Sequence, residues 1–468
     1  MANEAGSGPS HKGHRDLTQG PILRTLVLFS MPTLVGNILQ TLNGSINSVW
    51  VGQMLGESAL AATANANVVM FLVFAAVFGF GMAATVKVGQ AFGAGDVDAA
   101  RRTFGTALGF CLGLSLVVAV AGWIFAPALL HTMSTPPEIF AFALSYLRVI
   151  FIALPAIMIT VMLSMGLRGA GDSQTSLHFM ILSVVLDAGL NPLLIAGIGP
   201  FPRLGISGAA LASAIAAYVS MGAMVLSVYA RNLPLRLRGR ELAYLVPDRK
   251  ELGYIVSKGL PMGAQMLMIS AAGIIMIGLV NREGALTSAA YGASLQLWNY
   301  LQMPALAISA AVSAMAAQAI GARMMDRLGR INRAGVLLNL AITGTLTALL
   351  LLFDRPALTL FLGAGSPAVD LARHIQLVAS WSYILFGVTT VLFGTMRAGG
   401  VVIAPLVVLA IAMYPVRLGF YWLAYPHIGG EALWWAFPAG SLAAMLLTIV
   451  AYRRPGWRKI AAAPRVDG

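Results

Sequence analysis

A chain of 468 residues in which 58% of side chains are hydrophobic and only 10% charged is too apolar to be a soluble protein. Its formal charge of +13 invites a nucleic-acid reading, but twenty-three of the thirty basic residues fall on one set of connections between apolar runs, which argues against that partner. A single cysteine, Cys111, excludes an intrachain disulfide.

In chain order, residues 1–16 (MANEAGSGPSHKGHRD) are polar and lack the apolar core of a signal peptide, so a disordered cytoplasmic tail is expected. From there on, runs of about 20 residues with few charges recur, each long enough to cross a hydrocarbon core. They fall near 25–50, 58–86, 103–127, 139–166, 174–197, 206–230, 252–280, 286–317, 331–353, 373–396, 401–425 and 430–451. Strand-like alternation does not recur, which argues against a β-barrel. The expected fold is an all-α polytopic membrane protein of twelve transmembrane helices.

The basic residues orient it. Of thirty Lys and Arg, twenty-three lie on one side if the N-terminus is cytoplasmic, and only Arg203, Arg282, Arg355 and Arg373 lie on the other. Lys87, Arg148 and Arg417 sit in or near spans. This is the pattern of the positive-inside rule, with both termini cytoplasmic.

The longest polar connection, residues 231–251, divides the spans six and six. The expected organisation is an N-terminal lobe over 17–230, a cytoplasmic linker over 231–251, a C-terminal lobe over 252–454 and a second tail over 455–468. The halves repeat: Pro32 faces Pro261 and Arg168 faces Arg397 at one offset, and Gln90 faces Gln318 one residue short of it. An even number of spans separates them, so the lobes are expected to be related by a pseudo-two-fold axis along the membrane normal. Transporters use this design, with the substrate between the halves.

Four segments resemble the multidrug and toxic compound extrusion (MATE) family. They are LTQGPILRTLVLFSMPTLVGNILQTLNGSINSVWVG at the start, GQAFGAGDVDAARR after the second span, GLRGAGDSQTS before the fifth and GISGAALASAIA on the sixth. The resemblance covers about residues 17–455. It implies a two-lobed antiporter that exports amphipathic, often cationic compounds against an inward flow of H⁺ or Na⁺.

Cation coupling needs an acid. Of seventeen Asp and Glu, Asp187 alone falls well inside a span. At 1.5 Å per residue it lies about 12 Å below the outer end of its helix, with Ser213 and Asn47 about 10 Å deep on the sixth and first spans. Asn191 stands one turn from Asp187 on the same face. Asp187, Asn191, Asn47 and Ser213 are therefore the candidate cation-coupling residues. The resemblance implies a first-lobe site with an acid on the first helix, an Asn and an Asp one turn apart on the fifth, and a hydroxyl on the sixth. Here Asn47 replaces the first-helix acid, Asp187 and Asn191 stand in exchanged order, and Ser213 keeps the hydroxyl position. Desolvation disfavours a charged carboxyl, so such a group can exchange H⁺, while the amide and hydroxyl oxygens also permit Na⁺. H⁺ is the favoured ion. A plainer role, hydrogen-bonding glue between helices, is also open to Asp187.

Asn37, Gln40 and Asn43 form a polar stripe on the first span, and lipid cannot satisfy amides, so they are candidates to line a substrate cavity. Gln296, Trp298 and Tyr300, with Trp381 and Tyr383, are candidates for the facing wall, since aromatic rings attract flat organic cations. Pro32 removes a helix hydrogen bond and favours a kink; the resemblance implies a hinge, and its repeat mate Pro261 allows a purely architectural reading. The His residues are scattered, so no metal site is expected. No nucleophile–base pair points to an enzyme, and no Walker motif points to ATP drive. The expected partners are small organic substrates and membrane lipid, with no cofactor and a monomeric protein in the cell membrane, a bacterial inner membrane. A lipid-linked precursor flippase is the alternative within the same superfamily; Arg148 and Arg417 alone supply the cationic cavity it would need.

Overall fold

Apolar stretches in lipid must satisfy their backbone amides without water, and a helix does so within one segment. The computed structural model describes residues 16–133, 135–199, 202–363 and 365–454, and among them the regular elements are all helical. Six long helices come first: α1 (Ile22–Leu55), α2 (Glu57–Gly93), α3 (Val97–Thr132), α4 (Pro137–Gly169), α5 (Gln174–Ala196) and α6 (Ile206–Ala230). A 3-10 turn, Gly239–Leu245, leads to α7 (Arg249–Arg282), α8 (Ala285–Gly321) and α9 (Met325–Leu352). Then come α10 (Asp354–Leu362), α11 (Ala368–Ala379), α12 (Ser382–Ala398), α13 (Ile403–Ile411), a π-helical stretch Ala412–Leu418, α14 (Gly419–Ile428) and α15 (Glu431–Arg453). Among the described residues, eleven helices can cross a membrane, and α11 with α12, bent by 44°, make a twelfth if taken as one span. The chain is a multi-pass membrane protein. The tail expectations for residues 1–15 and 455–468 lie outside the described residues.

Many helices outrun the apolar runs that announced them, because a helix continues past the hydrocarbon until something caps it. α2 runs on to Gly93, and α3 starts where the Asp96 carboxylate accepts from Ala99 N at 2.9 Å. In the second GAGD segment, Asp172 likewise accepts from Thr175 N at 2.9 Å.

Three features of the second half depart from the expected spans. Residues 354–362, expected as a loop, form α10, whose buried Asp354 takes the Arg373 Nε at 3.0 Å. The span expected at 373–396 breaks at Ser380 and Trp381, where the Ser382 hydroxyl bonds Ala379 O at 2.6 Å and competes with the helix ladder. The span expected at 401–425 carries the π-helical stretch, and Pro415 within it has no N–H for a regular helical bond.

The chain forms two compact units. One contains Val35–Gly259 and the other Thr18–Leu34 with the described residues from Leu260 to Arg454. The lobes drawn at the linker thus differ from the units by one segment each, and the changeovers fall beside Pro32 and Pro261. Local bonds hold these segments. In the first unit, Glu251 at the start of α7 pairs with Lys87 of α2 at 2.9 Å and accepts from Thr103 of α3 at 2.6 Å. In the second, Arg327 of α9 donates to Gln19 O and Gly20 O at 3.0 and 3.1 Å, ahead of α1.

The connection after α6 lies on α3. Arg101 pairs with Glu241 at 2.7 Å and donates to Pro234 O at 2.8 Å. Gly109 permits the approach: a Cβ there would stand 1.8 Å from Leu245 O, a backbone atom that cannot swing aside. Gly109→Ala is therefore expected to destabilise the first unit by about 1–3 kcal/mol through overpacking. Gly113→Ala, facing open space on the same helix, should not. Thermal unfolding of the two purified variants in detergent checks the contrast.

Candidate cation site

α5 is apolar except for a few positions, and Asp187 sits in its middle, only 2% exposed. A carboxylate there needs donors, since an isolated charge in a low-dielectric interior costs several kcal/mol or more. Three side chains supply them. Ser213 Oγ of α6 donates to Oδ1 at 2.9 Å, Asn43 Nδ2 of α1 donates to Oδ2 at 2.9 Å, and Asn191 Nδ2 donates to Oδ1 at 3.2 Å. Asn191, fully buried one turn along α5, also donates to the Asp187 carbonyl at 2.9 Å.

The α6 partner comes within reach because α5 and α6 meet at a glycine. A Cβ on Gly208 would lie 2.4 Å from Leu194 O, so the helices approach backbone to backbone there, and Ser213 follows little more than one turn later. The α1 partner corrects the sequence reading. Asn43, assigned to the substrate cavity, bonds the carboxylate. Asn47, assigned to the carboxylate, instead has the Tyr146 side chain of α4 as its partner. Positions i and i+4 share a face, so the pattern on α1 defines the stripe and leaves open which turn meets Asp187. Tyr146 was not anticipated; it is one apolar-looking position in FALSYLRVI, and nothing in its spacing distinguishes it.

The amides hold a reserve. Asn43 Oδ1, Asn47 Oδ1 and Asn191 Oδ1 are buried and accept no hydrogen bond. These are neutral oxygens of the kind that hard cations take, and two of them belong to amides already bonded to the carboxylate through Nδ2. The same carboxylate is the group here that can accept a proton.

The remaining candidates differ in burial within each unit. Asn37 is half-buried and Gln40 exposed on α1. On α8, Trp298 is fully buried, donating Nε1 to Gln376 Oε1 and Ser380 Oγ at 2.9 Å each. Its ring packs on Tyr383 and Phe437 with centroids 5.5 and 5.2 Å away. Trp298 is a core residue of its unit, not an open cavity wall. Gln296 and Tyr300 are exposed, because residues two apart on a helix point to different faces. Trp381 is exposed at the α11–α12 break, and Tyr383 is half-buried.

A repeated bundle of membrane-crossing helices with one satisfied acid buried in its first half defines the class as a membrane transporter rather than an enzyme. The MatE family model matches residues 32–193 and 261–423, one stretch in each half, and the chain belongs to that family. It is 34% identical to the "Probable multidrug resistance protein YoeA" of Bacillus subtilis (strain 168), over 94% of this chain and 95% of the relative. It is 28% identical to the "Probable multidrug resistance protein YpnP" of the same organism, over 95% and 97%. Among solved structures, an outward-facing multidrug resistance MATE family transporter of the MOP superfamily superposes with a TM-score of 0.88 at 20% identity, covering 97% of this chain and 100% of that one. This last likeness concerns the fold alone.

Removing a hydrogen bond to a charged group costs about 1.5–3 kcal/mol, or roughly ten- to a hundredfold in an equilibrium. Asn43→Ala is expected to lower transport about tenfold or more at unchanged protein level. Gln40→Ala, on an exposed face of the same helix, should stay within about twofold. Efflux from vesicles carrying equal amounts of each variant checks both.

Proposed function

We propose that the protein is a cation-coupled secondary antiporter that exports amphipathic or cationic organic compounds, with Asp187 as the coupling group and H⁺ favoured over Na⁺. The observation that carries this reading is the Asp187 carboxylate, buried mid-helix and held by donors from α1, α5 and α6. The multidrug-resistance names of the relatives support the substrate class.

The coupling step follows from hydrogen-bond bookkeeping. The ionised carboxylate accepts from Asn43, Asn191 and Ser213 at once. A proton on either oxygen turns that oxygen into a donor, so the amide or hydroxyl facing it loses its acceptor and has to rotate or withdraw. Asn43 is the partner carried by α1, and Pro32 lies three turns before it on the same helix. A proton on Oδ2, the oxygen that Asn43 faces, then loosens α1 from α5, and the proline gives it a place to bend. Alternating access follows when substrate binding and acid loading favour opposite arrangements of that helix. The cycle needs no cofactor, no second copy and no metal beyond the driving ion. The lysine and arginine distribution favours an orientation with both termini cytoplasmic.

Imposed pH and Na⁺ gradients, applied separately to vesicles, test the reading. A pH gradient, with outside acidic relative to the cytoplasmic side, is expected to drive efflux, and Asp187→Asn to abolish it while the protein still inserts and folds. Undiminished gradient-driven efflux in that variant would remove Asp187 from the mechanism.

A further inference from the structure

The second half of the chain holds a charge of the opposite sign at the place that corresponds to Asp187. DAGLNPLLIAGIG (187–199) lies against RLGFYWLAYPHIG (417–429) with Gly189 on Gly419, Leu193 on Leu423, Ile198 on Ile428 and Gly199 on Gly429. In this register Asp187 meets Arg417. The helix carrying Arg417 is π-helical over Ala412–Leu418, and π-helical stretches occur often at functional sites.

Arg417 is 9% exposed. It joins none of the ion pairs among the described residues, and its Nε has no hydrogen-bond partner. What it has is a ring: the guanidinium carbon stands 4.8 Å from the Phe437 centroid. Trp298 packs on that ring at 5.2 Å and on Tyr291 and Tyr383 at 5.9 and 5.5 Å between centroids. Gly440 makes room, since a Cβ there would stand 2.9 Å from Nε. The correspondence extends to the neighbouring helix. Ser213, eighth in α6, gives its hydroxyl to Asp187; Pro438 is eighth in α15, and Phe437 beside it offers its ring to Arg417.

A buried, hydrogen-bond-poor guanidinium inside a membrane span is costly, and intramembrane cations of this kind mark ligand paths. A cation–π contact returns about 2 kcal/mol at best and leaves the planar N–H fork unused. That fork matches the oxygens of a carboxylate or phosphate. We propose that Arg417 anchors an anion-binding site in the second unit that takes the carboxylate or phosphate group of an amphiphile whose flat apolar part lies against the half-buried Tyr383. The first half of the chain then answers a cation and the second an anion, which extends the cargo to acidic and zwitterionic compounds.

The test uses the full-length protein in phosphatidylcholine nanodiscs, titrated with 2-naphthoate, its neutral analogue 2-naphthamide and the cation naphthylmethylammonium. Tryptophan fluorescence is the readout, Trp298 and Trp434 being close to the site. Saturable binding of naphthoate at least about tenfold tighter than of naphthamide is expected, lost in Arg417→Gln and partly kept in Arg417→Lys. Equal binding of acid and amide by the unaltered protein overturns the proposal whether or not the variants fold, as does retained naphthoate affinity in Arg417→Gln. Nanodiscs containing phosphatidylglycerol separate the sources of the anion. Competition with naphthoate assigns a lipid phosphate to Arg417, and its absence assigns a free organic acid.

Discussion

A charge enclosed in an apolar helix bundle must be answered by groups from neighbouring helices, and this requirement organises the first unit. The Asp187 carboxylate draws on donors from three helices, and each donor has its own support. Ser213 depends on the close approach of α5 and α6 at Gly208. Asn191 depends on being one turn along the same helix, and Asn43 on the depth at which α1 sits beside α5. Loss of any one leaves a buried polar group short of a partner, which costs more than the bond contributes on average. The cluster is therefore an adhesive that ties α1 and α6 to α5 through one carboxylate.

The surrounding bundle shows how lipid-embedded helices obtain such precision without a hydrophobic force between them. Small residues let backbones approach, and hydroxyls bridge them. Thr85 Oγ1 bonds Met165 O at 2.9 Å between α2 and α4, close to where Gly169 faces Thr85 O. In the second unit Gly394 lies against Ser309 O, and Thr395 Oγ1 bonds Asn332 Oδ1 at 2.8 Å. These contacts hold each unit together independently.

Duplication supplied two copies of one helical plan, and the copies have diverged where it matters chemically. One carries a continuous helix with an acid answered by amides and a hydroxyl. The other carries a π-helical stretch with a guanidinium answered by a ring face. The prolines kept in both, Pro32 and Pro261, fall beside the points where α1 and α7 pass from one unit to the other.

Hydropathy alone was enough to mark the membrane-crossing segments, since water exclusion is a property of composition over about 20 residues. Repetition at a fixed offset revealed the two halves, and Asp187 stood out as the one acid deep in a span. Asn191 followed from helical periodicity and Ser213 from depth. Tertiary structure decided the rest. It chose Asn43 over Asn47 as the α1 partner, turned Trp298 inward, broke one expected span at Ser380 and drew the units through α1 and α7 rather than at the linker. The physical reason is the same in each case. A sequence period specifies which residues share a face of their own helix, but rotation and vertical register against a neighbour are set by where glycines let backbones touch and where buried polar groups find one another.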